Sequence, residues 1–347
     1  MLPQLWTSVL LIGFAALTVS ESPPGLIDAL IASGASRFAE LIQSDSQISG
    51  LYFSDQVGTV FAPSDLYIGN VTLGERSASP EQIRAASFQC AQQTTSTGLA
   101  SRMRPGSTIE TNDKRVLLNN RGQKVVVDAR PRNLTNPTRR WASSSIAIRQ
   151  DNETEPILRI SAGLGQITNV IKGDIPYDGG LIHITDSYFK TPESLSSTSQ
   201  VTGQTAFANL LSSSNTSKTL DTTPSVTVFL PLNAAINNAN SSLPPSQLIS
   251  DHVVAGTVSY LPDLKDGTVL TTQRGELLAI SVRSGRYYVN GGLITQANLI
   301  LENGVAHVVN KVLKPTPAPV TGAASSPFIG LTDLLMVVGS VGMMTLV

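Results

Sequence analysis

Two pairs of repeated segments constrain the fold of this 347-residue chain more than any other feature. TVFAPSDLYI at 59–68 recurs as TVFLPLNAAI at 227–236, and DGGLIHITDSYFKTP at 178–192 recurs as ENGVAHVVNKVLKP at 302–315. The apolar, β-branched run in each segment predicts a buried strand, and the proline after the TVF run predicts the turn that ends it. Because both segments recur in the same order, the sequence predicts two copies of one domain.

The segments around these motifs also repeat. Amphipathic runs at 26–44 and 205–213 precede the TVF segments and predict helices, and strand-like runs at 115–129 and 275–292 follow them. Each copy is therefore predicted to run helix, strand, helix, hairpins, terminal strand. The first copy is longer between its TVF segment and its histidine, and we assign the surplus to a solvent-facing loop insertion near 131–165.

The first 20 residues predict a secretory signal peptide. The apolar run from Val9 to Val19 is too short to span a bilayer and leads into small residues, so we place cleavage after Ser20. The single cysteine, Cys90, excludes an internal disulfide and is interpreted as a small buried hydrophobe. In a secreted chain the Asn-X-Ser/Thr sequons become candidate N-glycosylation sites, namely Asn70, Asn133, Asn152, Asn215 and Asn240.

The C-terminal residues predict a lipid anchor. Small residues are followed by a spacer and a short apolar terminus, which is the layout of a GPI-attachment signal. We predict a Pro/Ser-rich stalk at 316–326 that carries the attachment site, and a removed hydrophobic tail at 327–347. A tail retained as a membrane helix is the alternative, and it would place the protein in an internal membrane such as that of the vacuole. The candidate attachment residues are Gly322, Ala323, Ala324 and Ser325.

The paired motifs resemble the two signature motifs of fasciclin-like domains. The second copy also has DHVVAGTVSY at 251–260, at the position of that family's Tyr-His motif, with Asp251 in place of the expected tyrosine. The resemblance implies an α+β fold of two tandem fasciclin-like domains, each a wedge-shaped β-sandwich flanked by helices. It places the first domain at 23–192, a linker at 193–204 and the second domain at 205–315. The residues taken as structural members of the family motifs are His183, His252, His307, Pro63 and Pro231.

The histidines are not predicted to act in catalysis or metal binding. His183 and His307 fall in different copies, so they cannot easily converge, whereas a metal site needs three or four converging ligands. Each lies between apolar residues of a predicted strand, where we expect the imidazole to hydrogen-bond backbone. His252 is in the same copy as His307, and a structural role is favoured for it as well.

The carboxylates also point to structure rather than chemistry. Asp65 follows the turn after the first TVF run, where aspartate commonly caps a helix, and Asn233 occupies the same position in the second copy. An asparagine caps equally well but transfers no proton at neutral pH. Since no Gly-x-Ser-x-Gly elbow is present either, we predict that the protein is not an enzyme, with no catalytic residue, no metal site and no cofactor.

The predicted function is adhesion or organisation of the cell wall or extracellular matrix, as the resemblance implies. The net charge of −1 supplies no field that would attract nucleic acid. The expected partners are surface or matrix glycoproteins or polysaccharides, and the expected location is the outer face of the plasma membrane or the cell wall. The alternative is a glycan-binding surface module that uses the basic residues of the insertion, which are Arg130, Arg132, Arg139 and Arg140.

Overall fold

The computed structural model describes residues 22–67, 78–98, 105–130, 157–239 and 244–318. The predicted signal peptide, the attachment site and the tail lie outside these ranges. Two units of helices and strands follow one another along the chain. We call the described residues up to 192 the first unit and those from 193 onward the second unit.

The first unit begins with helices and continues mainly as strands. Its helices are α1 (Leu26–Ala32), α2 (Ser36–Ser44), α3 (Ser46–Tyr52) and α4 (Pro80–Phe88). Its strands are β1 (Thr59–Pro63), β2 (Cys90–Ala91), β3 (Ser107–Arg115), β4 (Arg121–Arg130), β5 (Ile157–Ser161), β6 (Ile167–Tyr177) and β7 (Gly180–Thr185). Local sequence sets several helix starts. Asp45 accepts hydrogen bonds from the first turn of α3, and Ser79 with Gln82 forms a capping box before α4.

The second unit repeats this order. Its helices are α5 (Leu195–Val201), α6 (Thr205–Ser213), α7 (Ser217–Thr222), α8 (Asn233–Asn237) and α9 (Pro245–Asp251). Its strands are β8 (Val226–Pro231), β9 (Val253–Val254), β10 (Val269–Thr271), β11 (Leu277–Arg283), β12 (Arg286–Val289), β13 (Gly292–Leu301) and β14 (Gly304–Val309).

The described strands of the two units pair in the same sequence except at one edge, where β2 pairs with β3 but β9 and β10 are the two ends of an open sheet. In the first unit the order β1-β2-β3-β4-β5-β6-β7 closes on itself through a parallel β1–β7 pair. In the second unit the order is β10-β11-β12-β13-β14-β8-β9, again with a parallel pair between the TVF strand β8 and the terminal strand β14. Each strand of the first unit therefore has a counterpart seven positions later in the strand count.

The parallel pairs are the apolar centre of each unit. Every residue of β1, β8 and β14 is buried, as their continuous β-branched and aromatic runs predict. Amphipathic α2 places Phe38 and Ile42 on one side of the first sheet, and α6 places Phe207 and Leu211 on one side of the second. The sequence prediction of buried strands and amphipathic helices in these segments is confirmed.

Three expectations about the architecture differ from the structure. The strands of the first unit form one closed barrel rather than a sandwich of two sheets. Most of the predicted linker at 193–204 is helix α5, whose Leu195 is buried in the core of the second unit. The predicted insertion also ends earlier than 165, because Ile157–Ser161 is strand β5 and pairs with β4. The connection between β4 and β5 accounts for about half of the surplus, because its counterpart in the second unit is only the two-residue turn at 284–285.

The two units pack directly against each other. Val126 of β4 joins Tyr260, Ile300 and Val305 of the second unit in a buried apolar cluster. Backbone groups also meet across the interface, where Ser225 N–H donates to Leu117 O at 3.0 Å. Because apolar packing and backbone hydrogen bonds occur together, the described residues form one docked pair rather than two independent modules.

Candidate functional site

His183 and His307 occupy equivalent positions, and both ring nitrogens of each are engaged. His183 Nδ1 accepts from Asp174 N–H at 3.2 Å, and its Nε2–H donates to Thr95 O at 2.8 Å. His307 Nδ1 accepts from Asn298 N–H at 3.3 Å, and its Nε2–H donates to Ser259 O at 2.9 Å. A neutral imidazole has one donor and one acceptor, so neither ring retains a nitrogen for a metal or a proton transfer.

His252 is engaged in the same way by different elements. Its Nδ1–H donates to Leu248 O at 2.7 Å, and its Nε2 accepts from Leu313 N–H at 2.8 Å. Burial lowers the pKa of both His252 and His307 to about 4, although a backbone hydrogen bond to each ring opposes the shift. Burial likewise lowers the pKa of His183. The rings are therefore neutral and structural at neutral pH.

The first unit has a counterpart of His252 that the sequence pattern did not reveal. Phe61 N–H donates to Gln89 O, just as Phe229 N–H donates to His252 O. The side-chain amide of Gln89 donates to Phe61 O at 3.0 Å, and its Oε1 accepts from Phe189 N–H at 2.9 Å. Gln89 thus anchors the segment after β7 in the way that His252 anchors Leu313. The signal for this role is the position of Gln89 directly before β2. Only the strand register identifies that position as the equivalent of His252.

Asp65 and Asn233 cap helices, but not the helices that follow them. Asp65 accepts from the backbone and hydroxyl of Ser36 and from Arg37 N–H, all at the start of α2. Partial burial raises the pKa of Asp65, but these hydrogen bonds lower it below the usual range overall. Asn233 Oδ1 accepts from Ala206 N–H at 3.0 Å at the start of α6. Capping is the observed role, and the prediction named the wrong helix because both contacts span about 28 residues.

The described part of the chain does not assemble these groups into a reactive centre. Within it, no group of three or more His, Cys, Asp or Glu side chains could hold a metal ion. Asp186 is engaged by the backbone and side chain of Asn169. Burial raises the pKa of the Cys90 thiol to about 12, so that thiol is not a ready nucleophile.

Four charged side chains meet at the interface between the units. Arg115 Nε donates to Asp113 Oδ2 at 2.8 Å, and its Nη1 lies 3.0 Å from Glu302 Oε1 of the second unit. Arg84 Nη2 reaches the same Glu302 oxygen at 2.9 Å. Burial raises the pKa of Asp113 to about 7; the Arg84 charge lowers it and the Glu302 charge raises it further. These charges are paired with one another, so removing one of them would leave a buried charge without its partner.

A cleft with two basic residues lies beside this interface. It has a volume of about 270 Å³ and is lined from the first unit by Arg121 and Lys124 and from the second by Thr257 and Val258. The Lys124 ammonium lies 5.8 Å from the centre of the Tyr260 ring and is partly engaged there. Of the arginines predicted for glycan binding, Arg130 ends β4, whereas Arg132, Arg139 and Arg140 lie outside the described residues.

The structure places the predicted modification and motif residues as follows. Asn215 is exposed, in the left-handed region (φ 54°) just after α6, a conformation that asparagine tolerates. Pro63 and Pro231 end β1 and β8, where they pair with Thr185 and Val309. Among the described residues, no helix is long and apolar enough to cross a membrane. Outside those residues lie the sequons Asn70, Asn133, Asn152 and Asn240 and the anchor candidates Gly322, Ala323, Ala324 and Ser325.

Comparison with known proteins finds a family match within the second unit. Residues 202–315 match the family model of the fasciclin domain. Fasciclin-like arabinogalactan protein CTB11 of Cercospora beticola is 33% identical over 200 residues, which cover 55% of this chain and 53% of that protein. A fasciclin-like arabinogalactan protein of Arthroderma benhamiae is 31% identical over 175 residues, covering 48% of this chain and 41% of that protein. The chain thus spans about half the length of these curated relatives, or less.

A solved structure also overlaps the chain. It is a FAS1 domain pair from the insect cell adhesion molecule fasciclin I, at 16% sequence identity and a TM-score of 0.36, covering 82% of this chain and 98% of its own. Residues 202–315 match the fasciclin domain, and the chain is similar to fungal fasciclin-like arabinogalactan proteins.

Proposed function

We propose that this chain is a non-enzymatic surface protein that acts in adhesion or in organisation of the cell wall or extracellular matrix. The observation that carries the proposal is the fasciclin domain match over 202–315, since that family resemblance implies surface contact rather than catalysis. The engaged histidines support it, because they leave no ring nitrogen for chemistry. The partners are surface or matrix glycoproteins or polysaccharides.

The first unit is proposed to be a second fasciclin-like domain. It has the same strand order as the second unit, the same parallel pair and a histidine with the same hydrogen bonds. The proposed domains are 23–192 and 205–315, with α5 of the intervening segment packed on the second domain. Packing of Val126 against Tyr260, Ile300 and Val305 holds the two proposed domains together as a docked pair.

Adhesion is tested with the full chain displayed on cells that do not otherwise aggregate. Displaying cells should aggregate, or bind isolated wall material, several times more than cells that display the Gly304→Ala chain. We expect that variant's second unit to be strongly destabilised by the contact of the added Cβ with Val226 O. Surface amounts are matched by antibody staining of an epitope tag. Equal adhesion of both cell types would contradict the proposal.

The anchor is a separate part of the proposal. Thr316, beyond the last strand, still pairs with Leu277, so the ordered body continues to the start of the predicted stalk. We expect phosphatidylinositol-specific phospholipase C to release the protein from intact cells into the medium. Retention on the cells, together with labelling of an internal membrane, would instead show that the tail is kept and that the protein is a vacuolar membrane protein.

A further inference from the structure

The two units have equivalent faces, one covered and one free. In the second unit the covered face includes Ile300 and Val305, which pair across β13 and β14 and are fully buried by the first unit. The equivalent pair in the first unit is Pro176 and Leu181, at the same register between β6 and β7. Pro176 is exposed and Leu181 is half-buried, so no other unit covers this face within the described chain.

The residues of the free face differ in chemistry from those of the covered one. Thr59 Oγ1 donates to Gln93 O and accepts from Thr95 N–H, and Thr227 Oγ1 makes the same two bonds with Thr257 and Ser259. Gln93 and Thr257 are therefore equivalent, and Ser96 takes the place of buried Tyr260. The free face therefore carries the small hydroxyl of Ser96 where the second unit places the Tyr260 ring in the interface cluster, so it lacks the aromatic anchor of the covered face.

Next to this free face lies an open cleft, which we call the amide cleft. Its volume is about 660 Å³, within the usual range for small-ligand clefts. Gln56, Gln92 and Gln93 line it, are exposed, and make no side-chain hydrogen bond to another described residue. Glu110 and Lys114 contribute one negative and one positive charge, so the lining is electrically balanced.

We propose that the amide cleft binds an uncharged polysaccharide. Each primary amide offers two donors and an acceptor, which matches the donor and acceptor character of sugar hydroxyls. The balanced charge gives no preference for an anionic chain. The exposed amides of Gln56, Gln92 and Gln93 are accessible to sugar hydroxyls, because they make no side-chain hydrogen bond to another described residue. The inference rests on the proposed function, and it names the class of matrix component that the first unit contacts.

The experiment measures binding of the full chain to insoluble β-1,3-glucan and to chitin by co-sedimentation. The test variant is Gln92→Ala/Gln93→Thr, which removes both amides and installs at 93 the residue that the second unit carries. We expect its affinity to fall about tenfold, the effect of losing one or two hydrogen bonds. The matched control is Gln273→Ala, an exposed glutamine of the second unit outside the cleft, which should bind like the unchanged chain.

The outcomes separate this inference from the proposed function. Binding of neither polysaccharide by a chain that still aggregates cells would overturn the amide cleft and leave adhesion intact. Full binding by the double variant would also overturn it. So would self-association in analytical ultracentrifugation that the double variant abolishes, because a second copy would then occupy the cleft. Loss of binding in the double variant alone, with an unchanged melting temperature, supports the inference.

Discussion

The two units follow one plan but end differently at the same edge. In the first, Ala91 of β2 pairs with Thr111 of the nine-residue β3, and the barrel closes. In the second, β10 has only three residues, and Gln273 N–H donates to Val253 O without forming a strand pair. The parallel pair at the centre is the same in both. The fold therefore requires the TVF strand beside the terminal strand, and it tolerates variation at the opposite edge.

Replacing the glycine at the start of each terminal strand, Gly180 or Gly304, gives the largest predicted loss of stability. A Cβ at Gly304 would lie 1.9 Å from Val226 O, and one at Gly180 would lie 2.0 Å from Gly58 O. Neither backbone oxygen can move away easily, because Val226 belongs to the parallel pair and Gly58 O accepts the Leu181 N–H at its start. We expect Gly304→Ala to destabilise the second unit by more than about 4 kcal/mol, in the range that single substitutions rarely reach.

The equivalent Gly180→Ala should affect the first unit as strongly. Gly50→Ala, at a site with nothing near its Cβ and no left-handed backbone, controls for replacing a glycine without a steric contact. Chemical denaturation measures the loss of stability of each variant, and hydrogen exchange shows which unit has lost it. A small loss of stability for Gly304→Ala beside a large one for Gly180→Ala would mean that the β8–β14 and β1–β7 pairs are not equivalent.

The covered face gives the second largest effect. Tyr260→Ser installs the residue type that the free face has at Ser96, and it removes the aromatic ring from the interface cluster. We expect a loss of about 3 kcal/mol, typical of deleting a large buried side chain, and separation of one melting transition into two. Tyr287→Ser, a half-buried residue packed against the second unit's core away from the interface, should lower the single transition without dividing it. Calorimetry that showed a single transition for Tyr260→Ser would indicate that the units remain coupled through other contacts.

The sequence predicts those helices and strands that depend on a contiguous pattern of residues. Both TVF strands, both terminal strands and the first amphipathic helices follow from apolar periodicity and β-branched runs, and the histidines were rightly read as hydrogen-bonded to backbone. Closure of the first barrel was not predictable, because it depends on register between β2 and β3, about 20 residues apart. Helix α5 was missed because LSSTSQV is polar and only Leu195 and neighbouring small residues are buried.

The interface was missed for a related reason. Val126, Ile300 and Val305 are ordinary strand residues in the sequence, and nothing local distinguishes packing against a neighbouring unit from packing in their own core. Gln89 was missed because glutamine and histidine share no sequence pattern, although both can donate and accept one hydrogen bond here. Equivalence between repeats is thus easier to detect in hydrogen bonds than in residue identity.

Because Gln89 takes the place of His252 in the first unit, we expect the two units to differ in their stability at acid pH. Above pH 6.5 His252 is neutral in both the folded and the unfolded chain, so it has no pH-dependent effect. Between 6.5 and its folded pKa of about 4, the unfolded chain binds a proton that the folded chain does not, so stability falls as pH falls. The loss from His252 approaches roughly 3 kcal/mol at pH 4. His252→Gln should therefore change stability little at pH 7 and remove this part of the acid sensitivity.

Other groups modify this comparison without reversing it. His307 adds a loss of the same sign in the second unit, whereas burial raises the pKa of Asp251 and opposes it there. In the first unit the raised pKa of Asp113 gives the opposite sign, since the folded chain binds its proton first as pH falls below about 7. Denaturation of the unchanged chain and of His252→Gln at pH 7 and pH 4.5 checks the prediction. Equal acid sensitivity of the two would show that His252 is protonated with little cost in the folded chain.

Substitution of the two helix caps, Asp65 and Asn233, gives the smallest predicted loss of stability. Because each residue can be replaced by the other's type, it also compares the two units most directly. Asp65→Ala removes the acceptor for Ser36 and Arg37 at the start of α2, and Asn233→Ala removes the acceptor for Ala206 at the start of α6. Each should cost about 1 kcal/mol, as loss of an N-cap side chain usually does.

Asp65→Asn and Asn233→Asp should cost less, because either side chain can accept from the helix start. Asn233 also donates from Nδ2 to Gly203 O at 2.9 Å, which an aspartate cannot do, so Asn233→Asp should be the more costly exchange. Urea denaturation of the four variants checks this order, and a larger cost for Asp65→Asn would show that the charge at 65 contributes more than its geometry.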